Sequence, residues 1–92
     1  MEYVSTNYSE EELAWFSPEI TLQRDIYLMI KLKRPGKLVI RQDKGDGKKP
    51  RVPIRAHKNT SEFQLRLRVI PETIKIQIFT SSEPKEIKYA YI

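Results

Sequence analysis

The 92-residue chain has no cysteine and only one histidine, His57. The absence of cysteine excludes disulfide bridges, zinc ribbons, thiol nucleophiles and iron–sulfur ligation by cysteine. Because small secreted β domains often rely on disulfides, it also favours a reducing compartment. One histidine beside scattered carboxylates provides neither a nucleophile with its base nor the spacing of metal ligands. The sequence therefore predicts no catalytic, metal-binding or cofactor-binding residues, and a protein that is not an enzyme.

Long apolar runs are also missing from the chain. No stretch approaches the roughly 18 consecutive apolar residues that a membrane-spanning helix needs. The first residues, Met1-Glu2-Tyr3-Val4, lack the basic and apolar regions of a secretory signal. The length is that of one domain. We therefore expect a single cytoplasmic domain without a membrane span.

What the chain does contain, from Asp25 onward, is an apolar side chain at every second position. The alternation holds in residues 26–32, 63–69 and 74–78, with mostly basic or amide side chains between. Successive side chains of an extended strand point to opposite faces, so this spacing gives one apolar and one charged face. A sheet with one face in water is typical of antiparallel structure. The sequence thus predicts an all-β antiparallel protein.

Charge is unevenly distributed along the chain, although the net charge is only +5. Residues 1–25 hold one cation against six anions, whereas residues 26–92 hold sixteen cations against six anions. Such a division indicates either a polyanionic partner or an acidic arm that lies on a basic surface.

Residues 1–19 form this acidic arm, and we predict a short helix at residues 10–16 within it. A capping-box pattern begins at Ser9, with Glu12 as the reciprocal residue. Pro18 limits the helix to about two turns, because the residue before a proline disfavours helical geometry. The aromatic side chains of so short a helix need cover, so we expect the arm to lie on the sheet.

Residues 20–92 are predicted to form a single β domain of about seven short strands. Their spacing resembles that of immunoglobulin-like and fibronectin-III-like sandwiches, and an OB-type small barrel with merged strands is the alternative. Pro53 predicts that its strand lies at a sheet edge or contains a bulge. The C-terminal strand, residues 86–91, fits an edge and an internal position equally. Turn-forming residues predict turns at residues 34–37, 43–50, 58–61, 71–72 and 81–84.

The outward positions of these strands carry cations interleaved with aromatic rings. Such a surface suits single-stranded nucleic acid, because cations contact the phosphates and rings stack on the bases. The alternative is an ordinary solvated face whose aromatic residues are covered by the arm. The predicted binding residues are Tyr27, Lys31, Lys33, Arg41, Arg55, Arg66, Arg68, Lys75 and Phe79.

Two further features carry no predicted site. The loop 43–49 lacks the alternating ligands of a calcium loop, and Ile54 stands where the bidentate glutamate belongs. We interpret this loop as a hairpin tip with Asp46-Gly47 at its turn. His57 is interpreted as a turn or surface residue, since no acid or hydroxyl is placed beside it.

By elimination, we expect a non-enzymatic β-sandwich interaction module that presents a basic sheet face or an edge strand to a protein partner. The alternative function is single-stranded nucleic-acid binding through the basic, aromatic-interleaved face. The expected partner is thus a protein or a polyanion, such as nucleic acid, with no cofactor and no metal, and the sequence leaves the oligomeric state open.

Overall fold

The structure, a computed structural model, describes residues 1–44, 51–69 and 73–92. It is an all-β antiparallel fold, and the described residues contain no helix. The strands, in chain order, are β1 (Glu2–Tyr3), β2 (Asn7–Ser9), β3 (Ala14–Phe16), β4 (Ile20–Leu22), β5 (Ile26–Lys44), β6 (Arg51–Leu67), β7 (Ile74–Thr80) and β8 (Pro84–Tyr91).

The sheet is organised by β5 and β6, which are 19 and 17 residues long and pair with each other from Ile26↔Leu67 to Gln42↔Arg51. On its other side, β5 pairs with β8 up to Leu32 and with β7 from Leu38 onward. One strand therefore belongs to two halves of the sheet, and the whole curls into a half-barrel.

The core lies on the concave side of both halves, and it confirms the predicted alternation. Ile26, Leu28 and Ile30 are 0% exposed, whereas Tyr27 between them is 52% exposed. Burial of such aliphatic side chains stabilises the fold by about 1.5–3 kcal/mol for each residue. The core residues are Leu22, Ile26, Leu28, Ile30, Leu32, Leu38, Ile40, Phe63, Leu67, Val69, Ile74, Ile76, Ile78, Ile87 and Tyr89.

The turn predicted at residues 34–37 is wrong, because β5 runs through this segment as a bent strand. Its backbone finds partners in the connection between β7 and β8 instead of within a turn. The Lys37 N–H donates to Ser81 Oγ at 2.7 Å, and Ser82 Oγ donates to the Pro35 carbonyl at 2.9 Å. Gly36 is required by this close approach, since a Cβ on it would lie 2.5 Å from Ser82 Oγ.

The turn predicted at residues 58–61 is also wrong, because β6 continues through it and Thr60 pairs with Gly36. β5 and β6 both bend near the Gly36–Thr60 pair. The sequence predicted four short strands in these two segments, and the structure has two long strands instead. The turn predicted at residues 81–84 is confirmed at residues 81–83, and β8 already begins at Pro84. The turn predicted at residues 71–72 lies outside the described residues.

The helix predicted at residues 10–16 is wrong. Glu12 N–H does donate to Ser9 Oγ, at 3.2 Å, but residues 10–13 form the turn of a β2–β3 hairpin. Leu13 ends this turn with a φ of 52°, which a helix does not allow. A seven-residue helix is too short to be stable alone, and the strand gains pairing with the edge of β7.

The arm thus extends the sheet at two places. Glu2 and Tyr3 pair with β8, and Trp15 and Phe16 pair with β7. The C-terminal strand β8 is therefore internal, between β5 and β1. In the described residues, β6 pairs with β5 alone, so the prediction of an edge position for the strand that contains Pro53 is confirmed.

Candidate functional site

The predicted binding residues do not share one surface. Tyr27, Lys31 and Arg66 lie on the outer face of the half formed by β5 and β8. Arg41 and Lys75 lie on the outer face of the half formed by β5 and β7, on the other side of the core. Arg55 and Phe79 lie on the same outer surface as Arg41. Lys33 lies at the bend of β5, and Arg68 follows the end of β6.

Phe79 is buried, with 8% of its surface exposed. The Phe16 ring stacks on it at 6.4 Å between centroids, and the Arg41 guanidinium lies 4.4 Å from its centroid on a cation–π contact. For this residue the structure matches the interpretation in which the arm covers an outward aromatic side chain. Phe79 is not accessible for base stacking.

Acidic side chains accompany several of the predicted cations. Arg41 Nη2 lies 3.2 Å from Glu12 Oε1, and Arg66 Nη2 lies 3.4 Å from Asp25 Oδ2. Lys33 Nζ lies 3.0 Å from Glu83 Oε2. Each pair is at least partly exposed and contributes about 0–1 kcal/mol to stability, but it reduces the local positive potential.

The outer face around Tyr27 carries two exposed aromatic side chains. Tyr27 and Tyr3 are 52% and 70% exposed. Across the strands, Tyr3 pairs with Lys88, and Lys88 pairs with Met29. We call the outward residues of β1, β8, the first half of β5 and the second half of β6 the Tyr27 face.

The apolar surface of β6 forms a groove of about 360 Å³. Because its lining comes from both halves of one bent strand, the groove lies inside the bend of β6. Apolar atoms dominate this lining, whereas three other grooves of the described residues have mixed or mostly polar linings. We call it the β6 groove, and it is lined by Leu38, Ile54, Ala56, Thr60, Glu62, Phe63, Gln64 and Leu65.

The backbone beside this groove has no neighbouring strand in the part of the chain that the structure describes. The two halves of β6 differ in regularity. The first half contains Pro53 and a register shift against β5, because Ile40↔Ile54 is followed by Gln42↔Arg51. The second half, residues 62–67, pairs with β5 in unbroken register and contains no proline. Residues 62–67 therefore present an edge that another strand can extend.

A second groove of about 410 Å³ combines an aromatic ring with two cations, Trp15 with Lys33 and Arg34. Trp15 is itself held by an edge contact with Tyr8, at 4.6 Å between ring centroids. The ion pair of Lys33 with Glu83 leaves this groove with mixed charge.

The end of the core near the C-terminus holds two tyrosines in contact. The rings of Tyr89 and Tyr91 meet edge to face at 5.9 Å, and Arg24 lies over the Tyr91 ring at 5.4 Å. Burial raises the pKa of the Tyr89 hydroxyl above its ordinary value, and the charge and hydrogen bond of Tyr91 add to this shift. Tyr89 is thus a neutral core residue at ordinary pH.

The described residues contain no group of three or more His, Cys, Asp and Glu side chains placed to hold a metal ion. The loop tip at residues 45–50 lies outside the described residues. His57 belongs to β6, but its side chain lies outside what the structure describes. Over the same described ranges, no helix has the length and hydropathy to cross a bilayer.

Comparison of the chain with protein-family models, with curated proteins and with solved structures finds no match. Function is therefore inferred from the surfaces of the molecule. The alternation predicted the apolar side of Phe63 and Leu65 but not the groove beside them. The nearest signal was Pro53, which predicted an edge or a bulge for the segment that forms the first half of β6.

Proposed function

We propose that this protein is a non-enzymatic interaction module that binds a protein partner by strand addition to residues 62–67 of β6. The supporting observation is the combination of an unpaired, regular strand edge with the apolar β6 groove beside it in the described residues. Backbone hydrogen bonds of an added strand supply affinity, and the groove accepts its alternate side chains. Edges of this kind are otherwise a hazard that proteins cover or charge.

A protein partner is favoured over nucleic acid by the lining of the site. The β6 groove is mostly apolar, whereas a nucleic-acid site needs a run of cations along the backbone. The predicted cations are divided between two outer surfaces, and Arg41 and Arg66 each lie beside a carboxylate. Among the residues that the structure describes, neither surface carries a continuous row of unpaired cations.

The sandwich architecture is part of the same proposal. Two sheet halves with a shared core support a sandwich similar in layering to the immunoglobulin-like class. Its connectivity departs from that class, because β5 and β6 each continue from one half into the other.

The test compares two lysine substitutions of half-buried aliphatic residues. Leu65→Lys places a charge in the β6 groove, and Ile20→Lys places one on β4, at the far side of the sheet. Immobilised wild-type and variant proteins are incubated with nuclease-treated extract from the native cell. We expect one protein to be retained by the wild type and by Ile20→Lys, and lost with Leu65→Lys.

Hydrogen exchange then locates the contact. On addition of the purified partner, amides of residues 62–67 should become protected, and circular dichroism should show that both variants are folded. Equal retention by Leu65→Lys, or protection elsewhere on the sheet, contradicts the proposal.

Nucleic-acid binding through the Tyr27 face is the second candidate, supported by the exposure of Tyr3 and Tyr27 beside Arg66. It predicts that binding of a single-stranded oligonucleotide weakens with salt, with a log–log slope of about −0.7 for each phosphate contacted. Arg66→Glu should weaken this binding, while Lys75→Glu, on the other outer surface, should not. No binding at low salt eliminates the candidate.

A further inference from the structure

The composition of residues 62–67 indicates which kind of partner this edge can accept, and the inference drawn from it rests on the proposed function. The segment reads Glu62-Phe63-Gln64-Leu65-Arg66, with an anion and a cation placed symmetrically about Gln64. A symmetric dimer uses the same patch on both subunits, so its residues must complement themselves. This segment meets that condition in charge and in hydrophobicity.

The faces of the strand determine which residues would meet. Glu62, Gln64 and Arg66 lie on the outer face, opposite Lys31, Met29 and Tyr27 of β5. Phe63 and Leu65 lie on the inner face, opposite the fully buried Ile30 and Leu28. Antiparallel neighbours on the same face are direct partners across a strand pair.

We propose that two copies pair their β6 edges antiparallel, with Gln64 opposite the same residue of the other copy. In this register each Glu62 faces an Arg66 on the outer side, and each Phe63 faces a Leu65 on the inner side. The pairing continues one sheet through both molecules and covers the β6 groove. Opposite charges across a strand pair are favourable, and an apolar row extends the core.

The rest of β6 explains why this segment, and not the whole edge, forms the contact. Pro53 lacks an N–H and lies at the register shift, so the first half of the strand does not offer a regular ladder. Arg66 also contacts Asp25, at 3.4 Å, but a guanidinium has enough donors for a second carboxylate. Both charged side chains are exposed, and neither has to leave the core to pair.

The test exploits the symmetry of the charges. Sedimentation velocity of the full chain is measured from about 1 µM to about 1 mM, for the wild type, Glu62→Arg, Arg66→Glu and the double variant. We expect a wild-type dimer, and a dissociation constant about tenfold or more higher for each single variant, because like charges then face each other. The double variant restores the opposite charges and should return to wild-type affinity.

A mixture of the two single variants is the decisive arm. Each chain alone opposes like charges, but in the mixed dimer every introduced residue meets a complementary one. The mixture should therefore dimerise as the wild type does, which a mere loss of folding in either variant could not produce. Thr21→Lys, a charge change on β4, serves as the control that leaves the dimer intact.

Two results overturn the inference. A wild-type monomer over the whole range excludes the second copy as the partner, while the extract experiment with Leu65→Lys still decides whether the edge binds another protein. A dimer insensitive to Glu62→Arg and Arg66→Glu places the contact on a different surface.

Discussion

One side of the curled sheet is covered by the N-terminal arm, whereas on the other side β6 has no neighbouring strand among the described residues. On the covered side, β7 receives β3 and β4, and Ser17 between them is fully buried. On the open side, Val52 is 84% exposed and the β6 groove lies beside the backbone. Both sides have strand edges with backbone N–H and C=O groups, but other strands lie beside the edge of β7 and, among the described residues, none lies beside the edge of β6.

The two sides show that strand edges in this protein are protected in different ways. The covering arm is held by specific hydrogen bonds: Ser17 N–H donates to the Ile78 carbonyl, and Ile78 N–H donates to Ser17 Oγ, both at 2.9 Å. The first half of β6 carries Pro53 and a bulge, which discourage pairing. Within the described part of β6, residues 62–67 keep a regular open edge, and this is where we place binding.

Removal of the N-terminal arm should lower the stability of the protein more than any other change considered below. Deletion of residues 1–19 removes β1, β2 and β3, which opens the edge of β8 and the Phe79–Thr80 end of β7, while β4 stays paired with the other end of β7. Loss of the Ser17 hydrogen bonds and of the Phe16 contact should lower the free energy of unfolding by about 3 kcal/mol. For a domain of this size the melting temperature should fall by roughly 12–24 °C. Thermal unfolding that matches the full chain would show that the arm does not stabilise the sheet.

The next effect concerns the bend that joins the two halves of the sheet. Gly36→Ala places a Cβ against Ser82 Oγ and should destabilise the protein by about 1–3 kcal/mol in urea unfolding. Combining it with Ser82→Gly, which removes two of the three nearest atoms and leaves Ser81 Oγ, should recover part of this loss. Full additivity of the two substitutions would contradict the steric account of the bend.

A smaller contrast comes from single side chains on the two sides. Ser17→Ala leaves the buried Ile78 N–H without its acceptor and should cost about 1–2 kcal/mol of stability. Val52→Ala, on the open side, should change stability by less than about 0.5 kcal/mol. Chemical denaturation of both variants measures the contrast, and equal costs would remove the distinction between the covered and open edges.

The smallest effect is a pH dependence at the β8 end of the core. Below about pH 10, Tyr89 is protonated in both the folded and unfolded chain. Because its folded pKa is raised, the unfolded chain loses the proton first, and stability falls as the pH rises through the folded pKa. The stability lost between about pH 9 and about pH 11 should therefore be smaller in Tyr89→Phe than in the wild type.

Tyr27→Phe is the matched control for this prediction, since it removes a hydroxyl from an exposed ring. It should keep the wild-type pH dependence. A Tyr89→Phe protein whose stability follows the wild-type curve would show that Tyr89 does not contribute.

The candidate site was only partly predictable. Arg66 was identified from the alternation, but its role in the further inference depends on Glu62, which the sequence did not single out. The alternation placed Phe63 and Leu65 on the apolar side, which is correct, but it does not tell whether another element covers them. Pro53 indicated an edge or a bulge for its own strand, which the turn predicted at residues 58–61 separated from residues 63–69.

The turn predicted at residues 34–37 and the helix predicted at residues 10–16 were wrong because local patterns do not show long-range contacts. The Arg34-Pro35-Gly36-Lys37 segment has the composition of a tight turn, and Ser9 with Glu12 has that of a helix start. The local tendency at Ser9 is still visible, because the Glu12 N–H donates to Ser9 Oγ. Both local patterns were overridden because distant segments, the Ser81-Ser82 connection and the β7 edge, offered the backbone better partners.

The amino-acid sequence was enough to establish the all-β class and the buried side of the strands, because the two-residue period of a strand is a local property of the backbone. The folded structure was needed to show where the chain bends, which strands are neighbours and, among the described residues, which edge stays open. These depend on contacts between residues far apart in the chain, such as Gly36 with Ser82 and Phe16 with Phe79, and no short segment contains both members of such a pair.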